Sequence, residues 1–264
     1  MIAQMGIPLK EAEQSYYHMQ PKSKKALKSL MVKVGEDFGL DDVAYPSFHL
    51  RNGYKFQLSA ADAVYSIMAL LAGHGKRRTA EQMTIEEEQR ENFWEAFDAL
   101  SSVSSRTTEK IEDGLRRAIE MQQTVVKQGS HMIAKRIVTT SGVFRYAYLK
   151  DTADTHLFLN TPTLTKLAHF LVSHYTVKFP QKPRPFVLCA LDSERDLYHV
   201  VAVDGTPGTS NNGEVTTNKF GTSFDKAAVK TGARVKHDGF ETSMLEVEKD
   251  DIYKFMEYLH SGLC

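Results

Sequence analysis

The segment KFGTSFDKAAVKTG, Lys219 to Gly232, has the residue types of a turn that grips phosphate: a glycine, two hydroxyl residues and an alanine pair opening a helix. The first amides of a helix lack intrahelical acceptors and point outward, so a glycine-rich entry lets them close on a phosphate oxygen. A second stretch, Gly208-Thr209-Ser210-Asn211-Asn212-Gly213, has the six-residue frame of a phosphate loop. Glu214 and Val215 follow it, where a lysine and a hydroxyl are needed to meet phosphate and magnesium, so it reads as a surface loop. Ser210 lies two residues from Gly208 but also two from Asn212, which lacks the second glycine of a nucleophile elbow.

The ten histidines give no ligand set. His169 and His174 are five apart rather than the three or four that stack ligands on one helical face, and no acidic neighbour completes them. Asp154 with His156, and His237 with Asp238, read as polar pairs of surface turns. Cys189 lies in an apolar run and Cys264 at the terminus, so neither has a basic setting to lower its pKa, and their spacing suggests no zinc or redox pair. Their use fits a reducing, intracellular compartment. The expectation is a protein without catalytic residues, metal or cofactor.

The elements around these residues change character midway along the chain. Pro21 starts a helix whose stripe is Leu27, Leu30, Met31, Val34 and Phe38, stopping at Gly39; Lys22, Lys24, Lys25, Lys28 and Lys33 lie on its outer face. Asn52-Gly53 between β-prone residues predicts a hairpin. Ser59-Ala60-Ala61-Asp62 has the capping-box pattern, followed by Val64, Ile67, Met68 and Leu71 on one face. Residues 73–89 read as an exposed loop. Phe93, Ala96, Phe97 and Leu100 then share a face read as core, with Trp94 beside it as the interface candidate, because aromatic anchors are favoured in interfaces. Ile111, Leu115, Ala118, Ile119, Gln122 and Val125 predict a long helix ending near Gly129.

Beyond residue 130 strands and helices alternate. MIAKRIVTT and VFRYAYLK read as a hairpin about Ser141-Gly142, Thr161 to Val177 as a helix, and PFVLCAL and LYHVVAV as buried strands. Phe220 to about Lys230 opens a helix, FETSMLEVE alternates as a strand, and Ile252, Phe255, Met256, Leu259 and Leu263 stripe a closing helix. The organisation expected is an all-helical domain at 1–130 and an α/β domain at 131–264.

A chain of 264 residues, 42% hydrophobic and 25% charged, can bury a substantial core. With 33 basic and 33 acidic residues, and no excess of either sign in either half, no general attraction to a polyanion exists. No apolar run is long enough to span a bilayer and the first residues lack signal-peptide features, so neither a membrane partner nor secretion by that route is expected.

In order along the chain, MGIPLKEAEQSYYHM, DFGLDDV, SAADAVYSIMALL, FWEAFDALS, GLRRAIEMQQTVVKQG and FGTSFDKAA resemble the C-terminal half of the eukaryotic cell division cycle protein 45 family. That family is similar in plan to RecJ-like phosphoesterases, with a DHH-bearing domain, a helical insertion and a DHHA1-type domain. The resemblance implies that residues 1–130 are a helical insertion-type domain for partner interaction and 131–264 a DHHA1-like α/β domain with a mixed sheet. It implies a non-catalytic, nuclear scaffold of the replicative helicase, linking the MCM ring and the GINS complex, with residues 73–89 and the Trp94 helix as partner surface.

In active DHHA1 relatives a Gly-Gly-His segment precedes an Ala-Ala pair by three residues, and its glycines admit a substrate phosphate. Here Ala227-Ala228 match, but Thr222, Ser223 and Phe224 stand in place of the glycines and histidine, with only Gly221 nearby. The expectation is a degenerate substrate nest in which Phe224 packs. The competing reading is the nucleic-acid-binding accessory half of a DHH-family exonuclease. There Lys219, Ser223 and the lysine-rich helix of Lys22, Lys24, Lys25 and Lys28 would hold single-stranded DNA.

Overall fold

Two strands that are apolar at almost every position, Phe186–Asp192 and Leu197–Val203, organise the larger part of the protein. Continuous apolar sequence is what a strand covered on both faces requires. The computed structural model describes residues 4–14, 16–37, 48–52, 56–73, 85–101, 105–150, 155–205, 220–237 and 242–262. Expectations placed on Phe38, Gly39, Gly53, Asp154, Gly208–Val215, Lys219, Asp238, Leu263 and Cys264 lie outside them.

The chain forms two compact units, Met1–Ala61 and Asp62–Cys264. The first contains α1 (Leu9–Ala12), α2 (Pro21–Asp37) and an antiparallel pair, β1 (His49–Asn52) and β2 (Phe56–Ser59). Leu27, Leu30 and Met31 of α2 pack with Val34 against Met5, Ile7 and Met19, so the periodic stripe is a core face.

The second unit begins with α3 (Ala60–Leu71), α4 (Ile85–Ser101) and α5 (Ser105–Ala134). A six-stranded mixed sheet follows, made of β3 (Thr139–Thr140), β4 (Arg145–Leu149), β5 (Phe186–Asp192), β6 (Leu197–Val203), β7 (Val235–His237) and β8 (Met244–Glu248). The strand order is β3-β4-β5-β6-β8-β7, with β4 and β5 parallel and every other pairing antiparallel. The parallel step needs a crossover, supplied by α6 (Thr161–Lys178). The other two helices are α7 (Phe220–Thr231) and α8 (Ile252–Gly262).

Strand alternation divides the core between the two faces. Phe186, Leu188 and Ala190 of β5 and Val201 and Val203 of β6 pack with Val125 and Met132 of α5 and Leu164, Leu167 and Leu171 of α6. Val187, Cys189, Val200 and Ala202 point the other way, to Phe220, Phe224 and Ala227 of α7 and Phe255 and Leu259 of α8.

Several expectations are corrected. The boundary expected at residue 130 falls within α5, a continuous helix packed on the sheet domain through Val125 and Met132. Gly129 does not end α5. The terminator is Arg136, whose left-handed backbone (φ 54°) lets its own amide reach the Ile133 carbonyl and the Ile137 amide reach the Met132 carbonyl. The run MIAKRIVTT is accordingly helical over Met132–Ala134, and only Thr139–Thr140 is strand. Within residues 73–89, Ile85 onward is the first turn of α4, and 74–84 lie outside the described residues. On α3 the buried face is Ser66, Ala69 and Leu70, while Val64, Tyr65 and Leu71 are exposed. The reason is close helix packing: a β-carbon on Gly114 of α5 would lie 2.8 Å from the Ser66 carbonyl oxygen and 3.0 Å from Leu70 Cγ.

Candidate functional site

The α7 entry is built on aromatic burial. Phe220 and Phe224 are both buried one helical turn apart, with centroids 5.6 Å apart. Phe224 continues to Phe255 of α8 at 5.7 Å, and Phe220 to Phe144 at 6.5 Å. Ala227 is buried on the same face and Ala228 packs at its margin. Gly221 serves close approach, since a β-carbon there would come within 2.5 Å of Thr242 Oγ1 and 2.7 Å of its Cβ. Thr222 is exposed and Ser223 half-buried.

An anion nest alternates right- and left-handed residues so that successive amides converge. Gly221, Thr222 and Ser223 are all helical, and none has positive φ. The Phe224 side chain is apolar and fully buried, offering no donor to a phosphate. Lys219 lies outside the described residues.

Chemistry elsewhere in the second unit is muted. Among the described residues there is no group of three or more His, Cys, Asp or Glu side chains that could hold a metal ion. Burial pushes the Cys189 thiol up, so it stays protonated, and depresses the pKa of His169. Burial pushes the Asp192 carboxyl upward, but the His199 ring, whose Nε2 lies 3.8 Å from Oδ2, and hydrogen bonds from the Arg195 and Glu194 amides outweigh this and hold it below the ordinary carboxylate value. Its Oδ1 accepts those amides at 3.2 and 3.1 Å, closing the β5–β6 turn. Arg195 meets Glu246 of β8 through two bonds, at 3.0 and 2.9 Å, so this charged group staples strands together.

The exposed feature is on α4. Asn92, Ala96 and Ala99 form its buried face, whereas Phe93, Trp94 and Phe97 are each about half exposed and Leu100 more so. The core expectation for Phe93, Phe97 and Leu100 is therefore corrected. Small residues give the closer helix contact, and an apolar stripe broad enough to include both faces cannot say which one is buried. The rings cover one another: Phe93 and Trp94 meet edge to face at 5.4 Å, Trp94 and Phe97 at 5.6 Å, and Phe93 stacks on Phe97 at 6.3 Å. Lys110 to Asp98 at 2.7 Å, and Arg117 to Glu95 at 3.5 Å, link α4 to α5 and fix which face turns outward.

In the first unit, Lys22, Lys25 and Lys28 are exposed on α2, and Lys24 is half-buried with its ammonium 5.3 Å from the Tyr16 ring centroid. Arg145 belongs to no motif in the sequence. It occupies the same face of β4 as Ala147 and Leu149, and a charge at an inward position of an alternating strand was the available signal.

The CDC45 family model matches residues 1–262. The cell division control protein 45 homolog of Dictyostelium discoideum is 35% identical over 263 residues, a match that covers 100% of this chain and 39% of that protein. The Saccharomyces cerevisiae protein is 27% identical, and the human homolog 25%, with the chain covering 44% of each. The chain thus spans less than half the length of these relatives. The crystal structure of CDC45 from Entamoeba histolytica superposes with a TM-score of 0.70 at 23% identity, over 99% of this chain and 49% of that one, a likeness of fold.

Proposed function

Since the chain belongs to the CDC45 family, we propose that it acts in DNA replication as a non-catalytic, nuclear scaffold of the replicative helicase. It links the MCM ring and the GINS complex during initiation and elongation. Its second unit corresponds in large part to the DHHA1-like portion. The observation that carries this reading is the exposed ring cluster Phe93-Trp94-Phe97 on a helix ion-paired to α5. Large aromatic side chains pre-ordered on a helix bury much area at little entropic cost, as interface anchors do. The buried Phe224 ring supports a scaffold over a strand-gripping exonuclease accessory, because it leaves the old nest without a donor. The direct experiment is association of the chain with purified GINS and MCM components by interferometry. Binding to neither, by a folded preparation, contradicts the proposal.

A further inference from the structure

We propose that Arg145, Arg184, Lys178 and Lys182 form a receptor for a phosphate monoester, carried on a phosphorylated serine or threonine of a protein segment. The four line one cleft of about 480 Å³ with Thr140 and Phe179, where the edge of the sheet at β3 and β4 meets the end of α6. No carboxylate lines it, and among the described residues none of the four cations has an ion-pair partner. The cleft lies on the α5–α6 face of the sheet, opposite α7, so it is separate from the degenerate nest.

Arg145 is the decisive residue. It is 4% exposed, and its guanidinium is wedged 5.0 Å from the Tyr175 ring centroid and 5.5 Å from that of Phe179, two rings stacked within 6° of parallel. Its Nε is buried without a hydrogen-bond partner. A buried, unpaired cation is costly, and native structures seldom keep one without an anion to complete it. Burial and the adjacent Arg184 both depress the pKa of Arg145, while no carboxylate acts to raise it. Arg184 is itself positioned by donating to the Ser141 carbonyl at 3.0 Å.

The ligand class follows from the convergence of donors. Guanidinium groups bind oxyanions bidentately, and a phosphorylated side chain brings three acceptor oxygens and about two negative charges. A nucleic-acid strand would instead use cations spread along a track and open aromatic faces for its bases. Here the cations converge, and the Phe179 ring already has Arg145 at 5.5 Å and Lys178 at 5.6 Å from its centroid. Beside the cleft, Thr139 and Thr140 form an exposed edge strand paired on one side with β4, which offers backbone groups to an extended segment.

The test uses the 264-residue chain and a fluorescent peptide mixture with one phosphoserine among randomised neighbours, beside the same mixture carrying serine. Inorganic phosphate and a single-stranded oligonucleotide serve as competitors. The phosphorylated mixture should bind at least about tenfold more tightly and be displaced by inorganic phosphate. Lys178→Gln with Lys182→Gln, both exposed, should weaken it about tenfold or more at unchanged melting temperature, and Arg145→Met should abolish it. Should Arg145→Met not fold, the surface pair decides alone. Equal binding of both mixtures, or phosphopeptide binding indifferent to the surface substitutions, overturns the proposal. So does an oligonucleotide that binds more tightly and is lost in the same variants, since that assigns the cleft to nucleic acid.

Discussion

The ring of Phe224 lies 5.7 Å from that of Phe255, centroid to centroid, and both side chains are wholly buried. Phe224 is thus a keystone between α7 and α8. Phe224→Ala should cost about 3 to 5 kcal/mol of unfolding free energy, the range for a buried phenylalanine that leaves a cavity. Denaturant midpoints check this. A stable variant that has lost affinity for a single-stranded oligonucleotide would instead return the segment to strand binding.

Gly114 offers a prediction with a sign. Alanine in place of a helical glycine ordinarily stabilises by about 1 kcal/mol. Here its β-carbon would meet the Ser66 backbone and Leu70, so Gly114→Ala should destabilise by about 1 to 3 kcal/mol. Thermal melts of the two proteins distinguish the outcomes, and a raised midpoint would mean that α3 and α5 are not packed this closely.

Asp192 sets part of the acid limb of stability. Its carboxyl has a lower pKa folded than unfolded, so its contribution is fully present above the unfolded value, near about 4, and is lost as pH falls through the folded one. Asp192→Asn should therefore flatten the fall in stability below about pH 4. Asp192→Ala, which leaves the Glu194 and Arg195 amides without their acceptor, should cost about 1 to 3 kcal/mol at neutral pH. Urea melts across the acid range would show both effects, and parallel pH profiles for wild type and Asp192→Asn would contradict the assignment.

As a non-catalytic scaffold, the reading proposed above, the chain should have no metal-dependent nuclease or phosphatase activity; among the described residues no group of three or more His, Cys, Asp or Glu side chains could hold a metal ion. Hydrolysis of a single-stranded oligonucleotide that is abolished by chelator and persists through purification would contradict this.

What the sequence makes legible follows from how many faces an element buries. β5 and β6 are covered on both sides, so Phe186 to Leu191 and Leu197 to Val203 read as strands without ambiguity. On α4 the apolar residues outnumber what one helix contact can bury. Alanine 96 and alanine 99 take that contact, and the larger rings, read from spacing as core, remain outside. α5 runs past Gly129 because a glycine that admits the Phe170 ring has the same letter as one that stops a helix. Its true end, Arg136, carries no glycine signal. The burial of Phe224 at the α7 entry is legible in its apolar type at a helix start, whereas the Arg145 cleft depends on residues from separate elements and emerges only when β3, β4, the end of α6 and residues 179–184 are brought together.

The proposed partner surface is the α4 ring face. The most direct measurement is the affinity of the chain for purified MCM and GINS components with Trp94, 54% exposed, replaced by alanine. Binding should weaken by about 1 to 2 kcal/mol, roughly five- to thirtyfold, with the unfolding midpoint unchanged within error. Unaltered affinity for both partners, or a loss explained by a large fall in melting temperature, would contradict it.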